Sequence, residues 1–396
     1  MIYEPLSKTY YKNRSSYEQE YAIRYNSPAT VHLDFSIGEN PAFYVPIEEM
    51  LTLEYNIITL NRLVLKVRAM LPEAAIRQYF TKSLFEEVFQ TLDIEQVYST
   101  RKEISEIYKT QKGNRLLGMI NKYAALLNAN KISLGSCKDL RALYDEICLP
   151  EVLEEDPQNA PDGEIFRNST VGVYSKKDQE IHSGLFPEAK IILAMENALR
   201  FSRDDNKSLL VRVAAFHYML GYIHPFYDGN GRLARFISSY QLAQEFDTLI
   251  SVRLSYTIKE QKSNYYKMFK TANDPKNKGE LTFFIVDFLR ILDTSYTNLL
   301  DGLTDKQEQL VHASTLLGKI YPPESKDFAV AFLLLQVSLF NHEGLRLDEI
   351  NEITSVGRRT IKQVLTSEAT SPLFSCAKDG TAKLYSLNLD QLLGGQ

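Results

Sequence analysis

Apolar residues recur at steps of three and four from Leu51 to Met70, and the pattern stops ahead of Pro72, which predicts an amphipathic helix with a breaker beyond it. A second helix is expected from Ala74 to about Thr91. Further helices are predicted at Asn114–Leu127, at Lys138–Ile147 behind a Ser136 cap, and at Pro187–Phe201 with proline in the first turn. One interval breaks this spacing: between Glu164 and His182, Val171, Val173 and Ile181 alternate around the polar turn Ser175–Asp178, which predicts a short hairpin. Downstream, Leu209–Tyr222 reads as a strongly apolar helix and Gly231–Phe246 as another, with Asp228-Gly229-Asn230-Gly231 between them. The expected fold is mainly α. From about Asp305 to Asp327 the composition turns polar, and Tyr321-Pro322-Pro323-Glu324-Ser325 forms a boundary. Past it, Leu347–Ile353 and Arg359–Leu365 have helix-turn-helix spacing, and Ala377–Tyr385 has that of a wing hairpin. The expected organisation is an N-terminal helical region (1–110), a core (111–304), a linker (305–325) and a winged helix-turn-helix-like domain (326–396).

Composition narrows the partners. The 396 residues are 44% hydrophobic and carry a net charge of only −5, with no acidic tail or basic arm aimed at nucleic acid or an anionic membrane. No apolar run approaches the roughly 20 residues that span a bilayer; the most apolar, Phe328–Phe340, fits a buried helix. Met1–Arg24 lacks a secretory pattern, and Cys137, Cys148 and Cys376 show no metal-ligand spacing, so a cytoplasmic protein with reduced thiols and no membrane partner is expected. In the C-terminal region, Arg358, Arg359 and Lys362 stand where a recognition helix contacts DNA. Residues 301–396 nevertheless carry nine Lys and Arg against twelve Asp and Glu, a balance of −3 that favours protein contact or homodimerisation over DNA.

The chemistry concentrates between residues 224 and 235. Gly229-Asn230-Gly231 opens a predicted helix, where glycines permit close backbone approach and first-turn amides lack intrahelical acceptors, so the turn can cradle a phosphate. Arg232 and Arg235, three apart, share one side of that helix and can clamp phosphate oxygens. Phosphates would repel Asp228 unless a divalent cation bridged them, which points to magnesium. His224, closing the preceding helix, is suited to take a proton from an attacking alcohol. Singly, each feature has a structural explanation: a core histidine, a turn, a solvated pair of arginines. Their joint order within twelve residues favours a catalytic loop. No Gly-x-x-x-x-Gly-Lys-Ser/Thr occurs, which disfavours a P-loop ATPase.

Residues 224–235, His-Pro-Phe-Tyr-Asp-Gly-Asn-Gly-Arg-Leu-Ala-Arg, resemble the Fic-family signature His-Pro-Phe-x-Asp/Asn-Gly-Asn-Gly-Arg-x-x-Arg at every specified position, and broader similarity spans roughly Ile47–Leu292. The resemblance implies a Fic-type helical bundle with a short β-hairpin flap and a C-terminal winged-helix-like appendage. It implies a protein adenylyltransferase that moves AMP from ATP to a Ser, Thr or Tyr hydroxyl of a target protein and releases pyrophosphate. On that basis His224 would be the base, Asp228 the Mg2+ ligand, Gly229, Asn230 and Gly231 the anion hole, Arg232 and Arg235 the holders of distal phosphates, and Phe226 a buried anchor. The target would lie as an added strand along the hairpin of Val171, Val173 and Ile181. Tyr265 and Tyr266 would line the adenine pocket, with core packing as the alternative.

Self-restrained family members carry Ser/Thr-x-x-x-Glu-Gly/Asn, and Thr91-Leu92-Asp93-Ile94-Glu95-Gln96 matches except at its last position. The resemblance implies autoinhibition, with Glu95 pairing with Arg235 and denying it to the γ-phosphate; a solvated Glu95 is the alternative. Two other functions stay open. One is a DNA-binding regulator whose fold senses a nucleotide without turnover, disfavoured by the intact His224 and both arginines. The other is a transferase of UMP, phosphate or phosphocholine, against which Gly231-Arg232 supports the AMP-transferring form.

Overall fold

The computed structural model describes residues 3–113, 115–174, 180–341, 343–367, 371–379 and 382–394. The chain opens with helices α1 (Leu6–Lys12) and α2 (Arg14–Tyr25), an antiparallel hairpin of β1 (Val31–Ile37) and β2 (Asn40–Tyr44), and the long helices α3 (Glu48–Ala69) and α4 (Glu73–Ile94). Shorter helices follow: α5 (Arg101–Thr110), α6 (Leu117–Ala125), α7 (Cys137–Ile147) and α8 (Leu149–Glu155). A second hairpin, β3 (Gly172–Tyr174) with β4 (Glu180–Ser183), precedes α9 (Glu188–Ser202), α10 (Leu209–Ile223), α11 (Asn230–Glu245), α12 (Leu254–Glu260) and α13 (Lys262–Asn273). The last part holds α14 (Thr282–Ile320), α15 (Lys326–Phe340), α16 (Leu347–Thr354), α17 (Arg358–Thr366), the hairpin of β5 (Phe374–Asp379) and β6 (Ala382–Leu387), and α18 (Leu389–Leu393). The fold is mainly α, as the apolar spacing predicts.

Two compact units emerge, Met1–Asn61 with Leu84–Thr297, and Arg62–Ser83 with Asn298–Gln396, the dividing points falling inside α3, α4 and α14. In the first unit α10 is the central helix. Every residue from Leu210 to Leu220 is buried, and α9 and α11 pack against it. A helix apolar all round belongs in a core, and its far end thereby carries His224 out of the buried centre of the unit. In the second unit α15 is the core helix, packed by α16, α17 and β6, while Leu345 bridges antiparallel to Tyr385 beside the β5–β6 hairpin. Among the described residues no helix is long and apolar enough to cross a membrane.

Several expected boundaries move. Residues 305–320, expected as linker, are the end of α14, where Leu303, Leu310, Ala313 and Leu317 form a buried stripe at helical spacing that the many polar residues between them conceal. Pro322 then ends the run. The helix expected over 114–127 is shorter, Leu117–Ala125, and closes in a 3-10 turn at Leu126–Asn128. Ser136 caps α7 through a reciprocal box with Asp139, as expected. Pro187 precedes α9 and lies outside it. The first hairpin is not among the predicted elements, although Leu33, Phe35 and Ile37 alternate inward along β1.

Candidate active site

The loop is shaped by what stops one helix and starts the next. His224 caps α10 in the left-handed region (φ 53°, ψ 63°), its amide donating to Leu220 O at 3.0 Å, and Pro225 forbids continuation. Phe226 is wholly buried, stacked on Tyr144 at 3.6 Å with the rings 3° from parallel. Asn230 braces the turn by two reciprocal bonds to Phe226: the Phe226 amide donates to Oδ1 at 3.0 Å, and Nδ2 donates to the Phe226 carbonyl at 2.8 Å. Its side chain is thereby spent on the loop, leaving its backbone amide for any anion. Gly229 has φ 82°, and a Cβ there would press on Tyr144 and Cys148 at 3.0 Å, so glycine is required on both counts. The first α11 amide with a backbone acceptor is that of Leu233, on Gly229 O. The amides of Asn230, Gly231 and Arg232 therefore form the helix N-terminus.

Both arginines of α11 are buried, and each meets a carboxylate. Arg235 donates through Nε to Thr91 Oγ1 at 2.8 Å and through Nη2 to Thr91 O at 3.0 Å, and it pairs with Glu95 at 2.7 Å. Burial pushes the Glu95 carboxyl upward, but Arg235, then Arg232 and Lys262, outweigh it and hold the group below its ordinary range. A Cβ on Gly231 would overlap the Glu95 carboxylate, so the glutamate occupies the space directly over this glycine. Thr91 and Glu95, both singled out from the sequence, are thus brought together with Arg235.

Gln96, the departure from the family pattern, sits in the left-handed region at φ 66°. The Val97 amide bonds Leu92 O and the Gln96 amide bonds Asp93 O, the two bonds of a Schellman end to α4. That motif explains why the pattern ends in Gly or Asn: the position needs positive φ, and Gln takes it at a cost of roughly 1 kcal/mol. Lys262 of α13 donates to the carbonyl of Ile94, the last residue of α4, and Lys259 pairs with Asp93, pinning the same helix end.

Arg232 pairs with Glu151 and, at 2.6 Å, with Asp228 Oδ2. Asp228 Oδ1 accepts the Gly229 amide at 2.6 Å, and burial raises the Asp228 pKa. Glu151 is one of several residues missed from the sequence. With Tyr144 and Cys148 it forms a face at spacings of four and three along α7 and α8, behind the loop. Tyr144 stacks on Phe226, Cys148 Sγ lies 3.7 Å from Gly229 O, and Glu151 takes Arg232. The legible signal was a carboxylate on the apolar side of a helical pattern.

Arg167 was also missed. Wholly buried, it donates to the carbonyls of His224 (2.8 Å), Leu185 (2.7 Å) and Ser169, so it ties both feet of the β3–β4 hairpin to the loop. The Leu185 amide bonds Ile223 O at 3.1 Å, and the Gly184 amide bonds Val171 O at 3.0 Å. Val173 and Ile181 lie in β3 and β4, respectively, while the turn Ser175–Asp178 falls outside the described residues. The hairpin starts at Gly172, later than Glu164 as expected, because the Glu188 carboxylate collects the amides of Glu164, Ile165 and Phe166 instead.

The tyrosine pair separates. Tyr265 is buried, with its hydroxyl 2.7 Å from His217 Nε2, whereas Tyr266 is 39% exposed. Ser238 gives its hydroxyl proton to Ala234 O, so His217 Nδ1, 2.9 Å away, must be the donor of that pair and Nε2 accepts from Tyr265. Burial foremost, and Arg235 second, push His217 down to about 3, which keeps it neutral. Tyr265 is core packing and supports Arg235 from below; only Tyr266 is left at the surface.

Glu87, one turn before Thr91 on the same face of α4, is buried and accepts the Ser255 amide at 2.8 Å at the start of α12. Burial raises it to about 7, against the hydrogen bonds from Ser255. The folded protein therefore keeps this proton at pH values where the unfolded chain, near 4.5, has lost it. The associated stability is complete below about 4.5 and declines as pH rises towards 7. Glu87→Gln should gain on the wild type by roughly 3 kcal/mol between pH 5 and pH 8. Thermal unfolding profiles that stay parallel across that range would refute the assignment.

Residues 136–242, which include this loop and its back wall, match the model of the Fic/DOC family. The chain carries a Fic/DOC domain there. It is 28% identical over 219 residues to the protein adenylyltransferase Fic of Drosophila ananassae, a match covering 51% of this chain and 39% of the relative. The Drosophila melanogaster protein of the same name is 28% identical over 216 residues, covering 50% and 39%. The chain thus spans about two fifths of the length of the curated relatives it matches. A solved Fic family protein from Desulfovibrio desulfuricans is alike in fold, with a TM-score of 0.51 and 17% identity over 86% of this chain and 96% of that one. In the Fic loop of this chain, His224, Asp228 and the α11 N-terminus stand together, with Glu95 lying across Arg235.

Proposed function

We propose that this chain is a protein adenylyltransferase that moves AMP from ATP to a Ser, Thr or Tyr hydroxyl of a protein, and that Glu95 restrains it. The observation that carries the reading is the α11 N-terminus, an anion site of first-turn amides with Arg235 behind it, faced by His224 across the turn and covered by a carboxylate that stands where a phosphate would. With Nδ1 directed at Gly221 O (3.3 Å), Nε2 carries the basic lone pair. The attacking hydroxyl would give its proton to that nitrogen as its oxygen bonds the α-phosphorus, and the bond to pyrophosphate would break. The amides of Asn230, Gly231 and Arg232 would stabilise the charge developing on the phosphates. Arg235, once Glu95 leaves, would grip the distal phosphate.

Among the described residues no cluster of three or more His, Cys, Asp or Glu could hold a metal by itself. Asp228 alone fits magnesium, which binds through one or two carboxylates together with phosphate oxygens. When bound there it would neutralise leaving-group charge. The adenylyltransferase relatives support ATP as donor, and the β3–β4 hairpin, tied to His224 through Arg167, supports an added-strand seat for the target. For residues 326–396 we read a winged-helix-like module: Arg359, Lys362, Lys378 and Lys383 are exposed, but Arg358 is paired with Asp348 and the local balance is acidic, which supports a protein partner over DNA.

The test is incubation of the full chain with magnesium and ATP labelled at either the α- or the γ-phosphate, followed by counting label in protein. The α-label is expected to transfer and the γ-label to stay in solution. Transfer of the γ-label, or uptake from UTP exceeding that from ATP, would replace AMP with another group.

A further inference from the structure

The two arginines of α11 sit three residues apart, each against a carboxylate, yet the two pairs are built differently. Glu95 comes from a helix end whose cap is strained, and its side chain is 28% exposed. Glu151 is 1% exposed, enclosed where α8 backs the loop, and the Arg232 side chain is fully buried. Removing one partner of a buried pair strands the other charge, whereas a partly exposed carboxylate can turn to water. A phosphate arriving at α11 can therefore displace Glu95 from Arg235 far more readily than Glu151 from Arg232. Arg232 is also engaged on its second side, by Asp228 Oδ2, while the Gly229 amide holds Oδ1. Both Asp228 oxygens are thus oriented by groups that do not move with solvent.

We infer that Arg232 is a strut and not a phosphate ligand: clasped between Glu151 and Asp228, it positions the Asp228 carboxylate, and of the two arginines Arg235 alone is presented to the distal phosphate of the nucleotide. What Asp228 and Arg235 meet rests on the nucleotide-transfer reading; the strut itself does not. Glu151 and Arg232 are positioning residues, acting on the nucleotide through Asp228. This differs from the role that the family signature implies for Arg232 and assigns a role to Glu151, which lies outside the signature.

The experiment has two arms in the full chain. In the first, on a Glu95→Gly background, ATP and ADP affinities are measured with and without MgCl2. Arg235→Gln is expected to erase the preference for ATP over ADP by about fivefold or more. Arg232→Gln and Glu151→Gln should keep that preference within about twofold, but lose about fivefold of the gain in affinity that magnesium supplies. Arg232→Lys, which keeps the charge without the planar fork that reaches both carboxylates, should behave like Arg232→Gln. In the second arm, thermal unfolding without nucleotide, Glu151→Gln should lower the midpoint by roughly 5 °C, and the Glu151→Gln/Arg232→Gln double variant should recover most of it. Loss of the ATP preference in Arg232→Gln, tighter ATP binding in Glu151→Gln, or additive destabilisation in the double variant would each overturn the strut. A Glu95→Gly parent that binds neither nucleotide sinks the transfer reading, and the unfolding arm still decides the strut.

Discussion

On the proposed reading, Glu95→Gly is expected to raise magnesium-dependent transfer of α-label from ATP into protein by tenfold or more. Two properties of Glu95 act together at the site. Its charge neutralises Arg235, the buried cation behind the anion site, at 2.7 Å. Its bulk fills the space over Gly231, where a phosphate must approach to reach the first-turn amides. Glycine removes both and also leaves Arg235 with the Thr91 hydroxyl and carbonyl as partners, so the helix contact survives in part. A tenfold gain needs only about 1.4 kcal/mol, well within what a partly exposed, charge-assisted pair can hold back. A folded variant with unchanged or lower transfer would remove the brake from the account.

Acid is not expected to release the Glu95–Arg235 contact near neutrality. Because Arg235, aided by Arg232 and Lys262, holds the Glu95 pKa below its ordinary 4.5 despite burial, the contact is at full strength above that value and is lost only as pH falls through the lowered one. Between pH 6 and pH 8 the ratio of Glu95→Gly to wild-type rates should stay flat, so a competing partner, and not protonation, must move Glu95 under ordinary conditions.

His224→Ala is expected to lower transfer by about a thousandfold while ATP affinity changes by no more than about threefold. A positioned general base contributes roughly 10²–10⁴ in rate, and the phosphate contacts come from other residues. Alanine is a poor occupant of the left-handed backbone at this position, so a distorted loop is a second cause of loss in that variant. His224→Asn separates the two causes, since asparagine tolerates φ near 53° but lacks a basic nitrogen. Equal loss in both variants assigns the effect to the imidazole. Transfer restored by asparagine, or surviving in alanine, would show that His224 is not the base.

The twelve residues from His224 to Arg235 and the two helices that flank them are legible in the sequence, because each depends on local rules: an apolar run long enough to be a core helix, a proline and glycines that enforce a turn, and backbone amides that a helix start must leave unpaired. Thr91 and Glu95 were legible by their spacing on one helix face. What the chain could not disclose on its own were pairings across large separations in sequence, where burial sets the energy. Whether Glu95 would be solvated or lie on Arg235 depended on how α4 docks against α11. That Tyr265 would serve the core through His217, that Arg167 would join the hairpin feet to His224, and that Glu151 would enclose Arg232 likewise followed from packing. A charged side chain reads as surface until the fold supplies its counter-charge. Sequence determined the loop; the tertiary structure decided how its charges are paired, because only close packing sets a buried carboxylate against each arginine.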